Sequence, residues 1–382
     1  MDAKELIKFL EFNNWWDYLV IVYLISFSIQ LFYYLFVFSK LAFFKRPEID
    51  ENQKLAPVSV IICAKNERDN LLEYLPMYLS QDYPQFEVIV VNDNSVDDSD
   101  DVLKAFSLQF KNLKIVTIPD TDRFFRSKKL ALTLGIKAAQ YDNLLLTDAD
   151  CKPSSTQWIK YMSRYQKDKK IILGFGGYER KSGLLNKLIR FETFYTALQY
   201  LSFALDKIPY MGVGRNLAYQ SDLFFNNKGF ATHMHILSGD DDLFVNEVAN
   251  NQNTQVVIHP DAFTISNPKM GYKAWFRQKK RHYSTGAHYK LKHKIMLGLL
   301  QVSQFIFIGL FLLLVIKLRP VYLIVGVFMM RYIVQMLIFK FSANKIGGKD
   351  LIILSPVFEL FFMIFNPILV ISNQINKRNK WN

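Results

Sequence analysis

Two carboxylates close an apolar run in Leu144-Leu-Leu-Thr-Asp-Ala-Asp150. Side chains alternate faces along a strand, so residues two apart point the same way. Asp148 and Asp150 can therefore converge at the carboxyl end of a buried strand, which is where ligands sit in open α/β sheets. A hard cation such as Mg2+ or Mn2+, held there by one or two carboxylates, completes its shell with substrate phosphates. Asp is also a common turn former, so the pair by itself defines no site. Its companions matter more. Glu67 follows the apolar run 58–63, and Asp93 follows the run 86–91. In a parallel sheet such strand ends meet along one edge. A third acidic group, Ser238-Gly-Asp-Asp-Asp-Leu243, reads on its own as a helix N-terminus whose acids complement the dipole. No P-loop or G-x-G-x-x-G follows the first strand, which argues against kinase-like or dinucleotide chemistry.

The elements that must position these acids alternate in type. Helical spacing over 71–81 and 97–110 separates strands at 58–63, 86–91 and 114–118. A helix over 128–139 then precedes a strand over 143–147. Such alternation implies βαβ units and a mostly parallel sheet. Cys63 and Cys151 fall inside this region and imply no disulfide framework. His233 and His235 have strand spacing that allows metal ligation, but they read better as loop residues before the acidic block. Gly174, Gly176 and Gly177 read as a tight turn.

The rest of the chain belongs in a membrane. Of 382 residues, 51% are hydrophobic and 15% aromatic, with 33 Phe and 20 Tyr. Apolar segments run over 18–44, 295–316, 321–339 and 351–372, and roughly 20 apolar residues cross a bilayer. The first lies between the pair Trp15 and Trp16 and the pair Lys45 and Arg46, and it is too long for a signal peptide. Lys317, Arg319 and Pro320 separate the second and third as a tight hairpin. The net charge of +13 gathers beside these segments, which fits positive-inside bias and anionic lipid better than nucleic acid. Trp275 and Phe276, set among Lys273, Arg277, Lys279 and Lys280, read as an interfacial helix. Arg331 and Glu359 lie inside apolar segments, where a lone charge is costly, so they are expected to pair. Pro356, Glu359, Asn366 and Pro367 make the fourth segment either a span or a re-entrant or interfacial element. If it spans, the basic tail of Lys377, Arg378 and Lys380 falls on the outer side, against the positive-inside tendency.

Taken in order, Val58-Ser-Val-Ile-Ile-Cys-Ala-Lys-Asn-Glu67, Val90-Val-Asn-Asp-Asn-Ser95 and Thr147-Asp-Ala-Asp150 resemble the membrane-bound family 2 glycosyltransferases. Gly212-Val-Gly-Arg-Asn-Leu-Ala-Tyr219, the block 238–243 and Gln278-Lys-Lys-Arg281 continue the resemblance, which covers about residues 57–289. Polysaccharide synthases and ceramide glucosyltransferase-like enzymes are the members it is most similar to. The resemblance implies a GT-A (Rossmann-like) cytosolic domain with a mostly parallel α/β sheet, flanked by transmembrane α-helices. The expected division is an N-terminal transmembrane helix over 1–46, a GT-A domain over 47–290 and a membrane domain of two to three helices over 291–382.

The roles implied follow position by position. Asp93 would bind uracil, Asp148 the ribose and diphosphate, and Asp150 the metal, with Asp148 as a second metal ligand. Glu67, Lys129, Gln278 and Arg281 complete the expected nucleotide-sugar site, a guanidinium fork being suited to phosphate. Asp240 is the expected catalytic base and Asp241 its rival, since three adjacent acids blur the register. Gly214, Arg215, Asn216 and His282 are the expected acceptor contacts. The implied activity is an inverting, Mg2+- or Mn2+-dependent transfer of a sugar from a nucleotide-sugar, a UDP-sugar by expectation, to a lipid-linked or glycan acceptor. The expected location is the cytoplasmic face of the plasma (inner) membrane, in cell-envelope glycan synthesis, beside other envelope-biosynthesis proteins and without nucleic acid. A processive synthase that extrudes its polymer is one alternative, and a non-catalytic partner subunit is another. Three departures bear on this choice. Gly239 replaces a Glu, Asn92 stands where many members have Asp, and His282 replaces the Trp that ends the family's Gln-x-x-Arg-Trp motif.

Overall fold

The computed structural model describes residues 14–47, 54–118, 127–236, 238–317 and 320–375. Arg319 and the basic tail of Lys377, Arg378 and Lys380 lie outside the described residues. The chain enters through helix α1 (Trp15–Ala42), which carries a π-helical stretch over Tyr33–Phe38. The α/β body follows: β1 (Val58–Ala64), α2 (Arg68–Leu79), β2 (Phe86–Asn92), α3 (Ser99–Gln109), β3 (Leu113–Thr117), α4 (Lys128–Ala138) and β4 (Asn143–Asp148). After it come β5 (Cys151–Pro153), α5 (Trp158–Ser163), β6 (Ile171–Leu173), β7 (Gly176–Tyr178), α6 (Leu184–Leu205), β8 (Leu217–Gln220) and α7 (Ser221–Asn226). Next are α8 (Asp242–Val248), β9 (Thr254–Val256), β10 (Thr264–Ser266) and α9 (Tyr272–His282). The chain closes with α10 (Leu291–Ile316), α11 (Val321–Ile346) and α12 (Ser355–Ile375).

The main sheet has seven strands in the order β3-β2-β1-β4-β8-β6-β9, and β5, β10 and β7 form a small second sheet. Pairings among β3, β2, β1 and β4 are parallel, while β8 runs antiparallel to both β4 and β6. Continuous apolar runs build the inner strands because helices cover both faces: β1 and β2 are buried almost throughout. Register then fixes the chemistry. Ala64 lies opposite Asn92, and Cys63 lies opposite Asp148. The ends of β1, β2 and β4 thus deliver Glu67, Asp93, Asp148 and Asp150 to one edge.

Gly174, Gly176 and Gly177 do not make the turn expected of them. Gly176 and Gly177 pair in β7, and a Cβ on Gly174 would come within 2.5 Å of the Asn216 amide. Glycine serves close approach there.

Among the described residues, four helices are long and apolar enough to cross a membrane: α1, α10, α11 and the segment Ser355–Asn373. Aromatic side chains join them to the body. Phe191 and Phe194 on α6 pack on Phe339, and Phe191 also meets Phe358 and Phe362. Arg331 and Glu359 do pair, at 3.0 Å, inside a polar knot fed by α1, α10, α11 and α12. Gln30 accepts from Arg331 at 3.1 Å, Gln304 donates to Glu359 at 2.9 Å and Gln335 donates to it at 3.1 Å. Multiple partners are what a charge needs in a region without water.

Candidate active site

The site starts at two neighbouring lysines. Ser127 caps α4, its side chain accepting from the Leu130 amide at 3.4 Å. Lys128 and Lys129 follow, and consecutive helical residues diverge by about 100°. Lys128 turns to the strand edge, its ammonium 2.6 Å from Asp148 Oδ1 and 2.9 Å from Asp240 Oδ2. Lys129 turns inward and donates to the carbonyls of His233 at 2.5 Å and Ile236 at 2.8 Å. The ammonium in the acidic site is therefore that of Lys128, which the motif reading did not select. Lys129 ties down the loop before the acidic block. Burial works against the charge on both lysines. It lowers Lys129 to about 8, while Asp148, Asp240 and Asp241 outweigh it at Lys128 and hold that ammonium well above its usual range.

The three acids of the block take different roles. Gly239 sits at φ +97°, a left-handed conformation that a side chain resists, and a Cβ there would also strike Leu243 at 2.4 Å. Burial acts to raise Asp240, but the charge and hydrogen bond of Lys128 outweigh it and hold the carboxyl below its ordinary range. Asp241 is pushed up to about 7 by burial, then by Asp240 and Asp242. Its two oxygens accept backbone amides at 2.7 Å, from Gly214 and from Asp242. Asp242 is buried, raised by that burial, and accepts the hydroxyls of Tyr289 (2.7 Å) and Thr285. A small cavity lined by Cys63, Lys128, Asp148, Gly214, Asp240 and Asp241 opens between the block and the sheet edge.

On the other side of Asp148, carboxylate oxygens of Asp148 and Asp150 and the sulfur of Cys151 lie within 4.8 Å of one another. Burial first and Asp148 second raise Asp150, with Lys269 and Arg215 in partial compensation. Two crowded carboxylates of this kind suit a divalent cation. The thiol does not take part: Cys151 Sγ lies 2.9 Å from Ser266 Oγ, and burial pushes it well above its ordinary range. A neutral thiol is a poor partner for a hard cation, so the donor set that fits Mg2+ or Mn2+ is Asp148 and Asp150. Glu67 is raised by burial and also feels Asp150, which places it at the same edge. Asp93 is buried, with Lys65 at 3.8 Å.

The remaining candidates divide. Arg215 stacks over the Tyr178 ring at 4.5 Å and reaches Ser266 Oγ at 3.3 Å. Gln278 approaches the Tyr178 hydroxyl at 3.5 Å, and Arg281 and His282 are exposed at the end of the same helix, α9. Asn216 does not reach the cavity. It is fully buried, accepts from Trp158 Nε1 at 3.1 Å and donates to the carbonyls of Phe175 and Ala262 at 2.8 and 2.7 Å. Its amide braces three segments, and no free donor is left for an acceptor. His233 is buried against Thr232 Oγ1 at 2.9 Å, and His235 is exposed.

Known proteins share this fold. A mannosyltransferase from Pyrobaculum calidifontis, solved with GDP-Man and Mn2+, superposes with a TM-score of 0.57 at 17% identity, covering 85% of this chain and 96% of that one. The fold is GT-A. Residues 59–225 match the family model Glycosyl transferase family 2. The chain thus carries a family 2 glycosyltransferase domain, joined to helices long and apolar enough to cross a membrane. A poly-beta-1,6-N-acetyl-D-glucosamine synthase of Staphylococcus epidermidis is 28% identical over 166 residues, 42% of this chain and 38% of that protein. A probable glycosyltransferase of Bacillus subtilis is 27% identical over 248 residues, 62% of this chain and 56% of that protein. The chain therefore spans about two fifths to just over half the length of these relatives.

Proposed function

We propose that the chain is a membrane-anchored inverting glycosyltransferase that moves a sugar from a UDP-sugar to a lipid-linked acceptor at the cytoplasmic face. The observation that carries this reading is the Lys128 ammonium between Asp148 and Asp240, which joins a metal-type carboxylate pair to a separate acid across one small cavity. In this reading the GT-A domain occupies 47–290 and Asp93 holds the uracil ring. Asp148 and Asp150 would hold Mg2+ or Mn2+. When bound, the cation neutralises charge developing on the diphosphate. Lys128, Gln278 and Arg281 supply donors and positive charge to the same leaving group, where preorganised charge has most effect.

Asp240 is the base. Geometry precedes pKa in choosing one. Asp241 has the more base-like value, but backbone amides hold both of its oxygens, whereas Asp240 Oδ2 meets the side-chain ammonium of Lys128. The acceptor O–H gives its proton to Asp240 while its oxygen forms the new bond to the anomeric carbon. The bond from that carbon to the diphosphate oxygen breaks, and the nucleoside diphosphate leaves with the electron pair. One displacement inverts the configuration. Gly214 borders the acceptor side through Asp241, and Arg215 lies toward Asp150.

A second reading, a processive synthase, is favoured by the similarity to the poly-N-acetylglucosamine synthase. His282, in place of a stacking Trp, favours single or few transfers. Sizing the product made by purified enzyme with excess UDP-sugar separates the two. Short glycolipids support single transfer, whereas a high-molecular-weight glycan formed while most acceptor stays unmodified supports the synthase.

A further inference from the structure

We propose that α12 does not cross the membrane. Its first turn reaches the level of Arg331 through Glu359, and the helix then returns to the side of the α/β body with an apolar face toward lipid. The inference rests on contacts at both of its ends and is independent of the reaction assigned above.

The segment Ser355–Asn373 has the composition of a span, and 19 residues of helix would be ~28 Å long. A span of that length would carry its end to the far side of the bilayer. Its far end and the turn that leads into it are held by the body instead, while its first residues pack on α11 through Ser355 with Met336 and Glu359 with Arg331. Just before it, Asp350 makes a two-pronged ion pair with Arg190 of α6, at 2.7 and 2.8 Å. At its other end, Ser372 accepts from the Lys280 ammonium at 2.9 Å, and Asn373 donates to the Lys280 carbonyl at 2.8 Å.

Lys280 cannot lie beyond the bilayer. It belongs to α9, whose Lys279 pairs with Glu192 of α6 at 2.8 Å. Between the two anchors α12 runs beside α9. Trp275 stacks on Phe365 with centroids 4.9 Å apart, and Phe276 meets the same ring. Helix α9 also carries Lys273, Arg277, Lys279, Lys280 and Arg281. A helix of that charge lies at a membrane surface and does not lie across the hydrocarbon.

The opposite face of α12 is apolar and exposed, with Val357 and Ile364 each at 62% and Ile368 and Ile371 beside them. The occupant is lipid. The helix packs on α11 through Glu359 and Ser355, and contiguous exposed apolar side chains beside a membrane helix mark a membrane contact. The topology also settles the charge. With α1, α10 and α11 as the spans, the sequence that follows α12, with Lys377, Arg378 and Lys380, starts on the same side as Lys45 and Arg46.

The test places single cysteines in the full-length protein in sealed vesicles. Lys45→Cys marks the side of the body, Tyr322→Cys marks the far side, and Gln374→Cys reports the end of α12. The parent chain gives the background from Cys63 and Cys151. A membrane-impermeant maleimide is expected to label position 374 from the same side as position 45 and the opposite side from position 322. Labelling of 374 together with 322 overturns the proposal. A C-terminal fluorescent-protein or alkaline phosphatase fusion, read for activity by compartment, reports the side without depending on thiol reactivity. A spin label on Ile364→Cys in phosphatidylglycerol-containing vesicles should be relaxed more by oxygen than by a nickel chelate. The reverse preference removes the lipid face.

Discussion

Lys128 and Asp240 form an ion pair at 2.9 Å, and the same ammonium lies 2.6 Å from Asp148. One side chain at a helix start thus joins the acid at the end of β4 to the acid block before α8. In the proposed reaction these are the donor side and the acceptor side. Removal of Lys128 should harm both. Lys128→Ala is expected to weaken nucleotide binding and lower turnover, whereas Lys129→Ala should chiefly lower stability, because its ammonium holds two loop carbonyls. Titration of UDP by calorimetry, set beside thermal unfolding of both variants, checks the division. Equal loss of nucleotide affinity in the two variants would contradict it.

Asp150→Ala should abolish transfer and weaken nucleotide binding, because the diphosphate loses its cation bridge. The native protein should lose activity in EDTA and regain it with Mn2+ or Mg2+. Full activity of the variant in EDTA would remove the metal from the account.

Titration of Asp241 makes a separate, signed prediction. Its carboxyl is raised from 3.8 to about 7, chiefly by burial. The folded chain then binds a proton that the unfolded chain has released, so this contribution to stability is present below pH ~4 and is lost as pH rises towards 7. Asp241→Asn cannot ionise. Its stability relative to the native protein should therefore rise between pH 4 and 7, on top of a constant loss from giving up one amide acceptor. Thermal unfolding in detergent across that window reads the slope. A flat difference would show that Asp241 does not titrate there.

In the membrane part, Arg331 is wholly buried and shares Glu359 with Gln304 and Gln335. Glu359→Gln leaves the guanidinium uncompensated and is expected to cost about 3–5 kcal/mol. Exchanging the two charges should recover part of the loss. Independent, additive defects in denaturant titrations of the single and exchanged variants would show that the pair does not act as a unit.

What the sequence made legible was the sheet edge. Each early apolar run stops at a residue with chemistry, and strand alternation alone brings Asp148 and Asp150 to one side. The choice between Lys128 and Lys129 was not legible, because two adjacent lysines differ only in the direction they leave a helix, and the docking of α4 decides which direction is the site. Asp242 was hidden for another reason. Its partners Thr285 and Tyr289 come 43 and 47 residues later, and no local pattern announces them. Gly174 looked like punctuation and is a space for Asn216, a fact that only the packed structure contains. The fourth apolar segment has the length of a span, and composition cannot show that Asp350 and Asn373 hold its two ends to one body.

The central claim is that this chain transfers sugar with Asp240 as base. The direct measurement supplies purified enzyme in lipid with a panel of nucleotide sugars and Mn2+, and follows nucleoside diphosphate release and product mass. The native protein should release UDP from one UDP-sugar and add that sugar to a lipid. Asp240→Asn should bind UDP nearly as well and turn over roughly 10²-fold or more slowly. Undiminished transfer by Asp240→Asn, or a native protein that adds no sugar from any nucleotide-sugar to any lipid or glycan, would contradict the account.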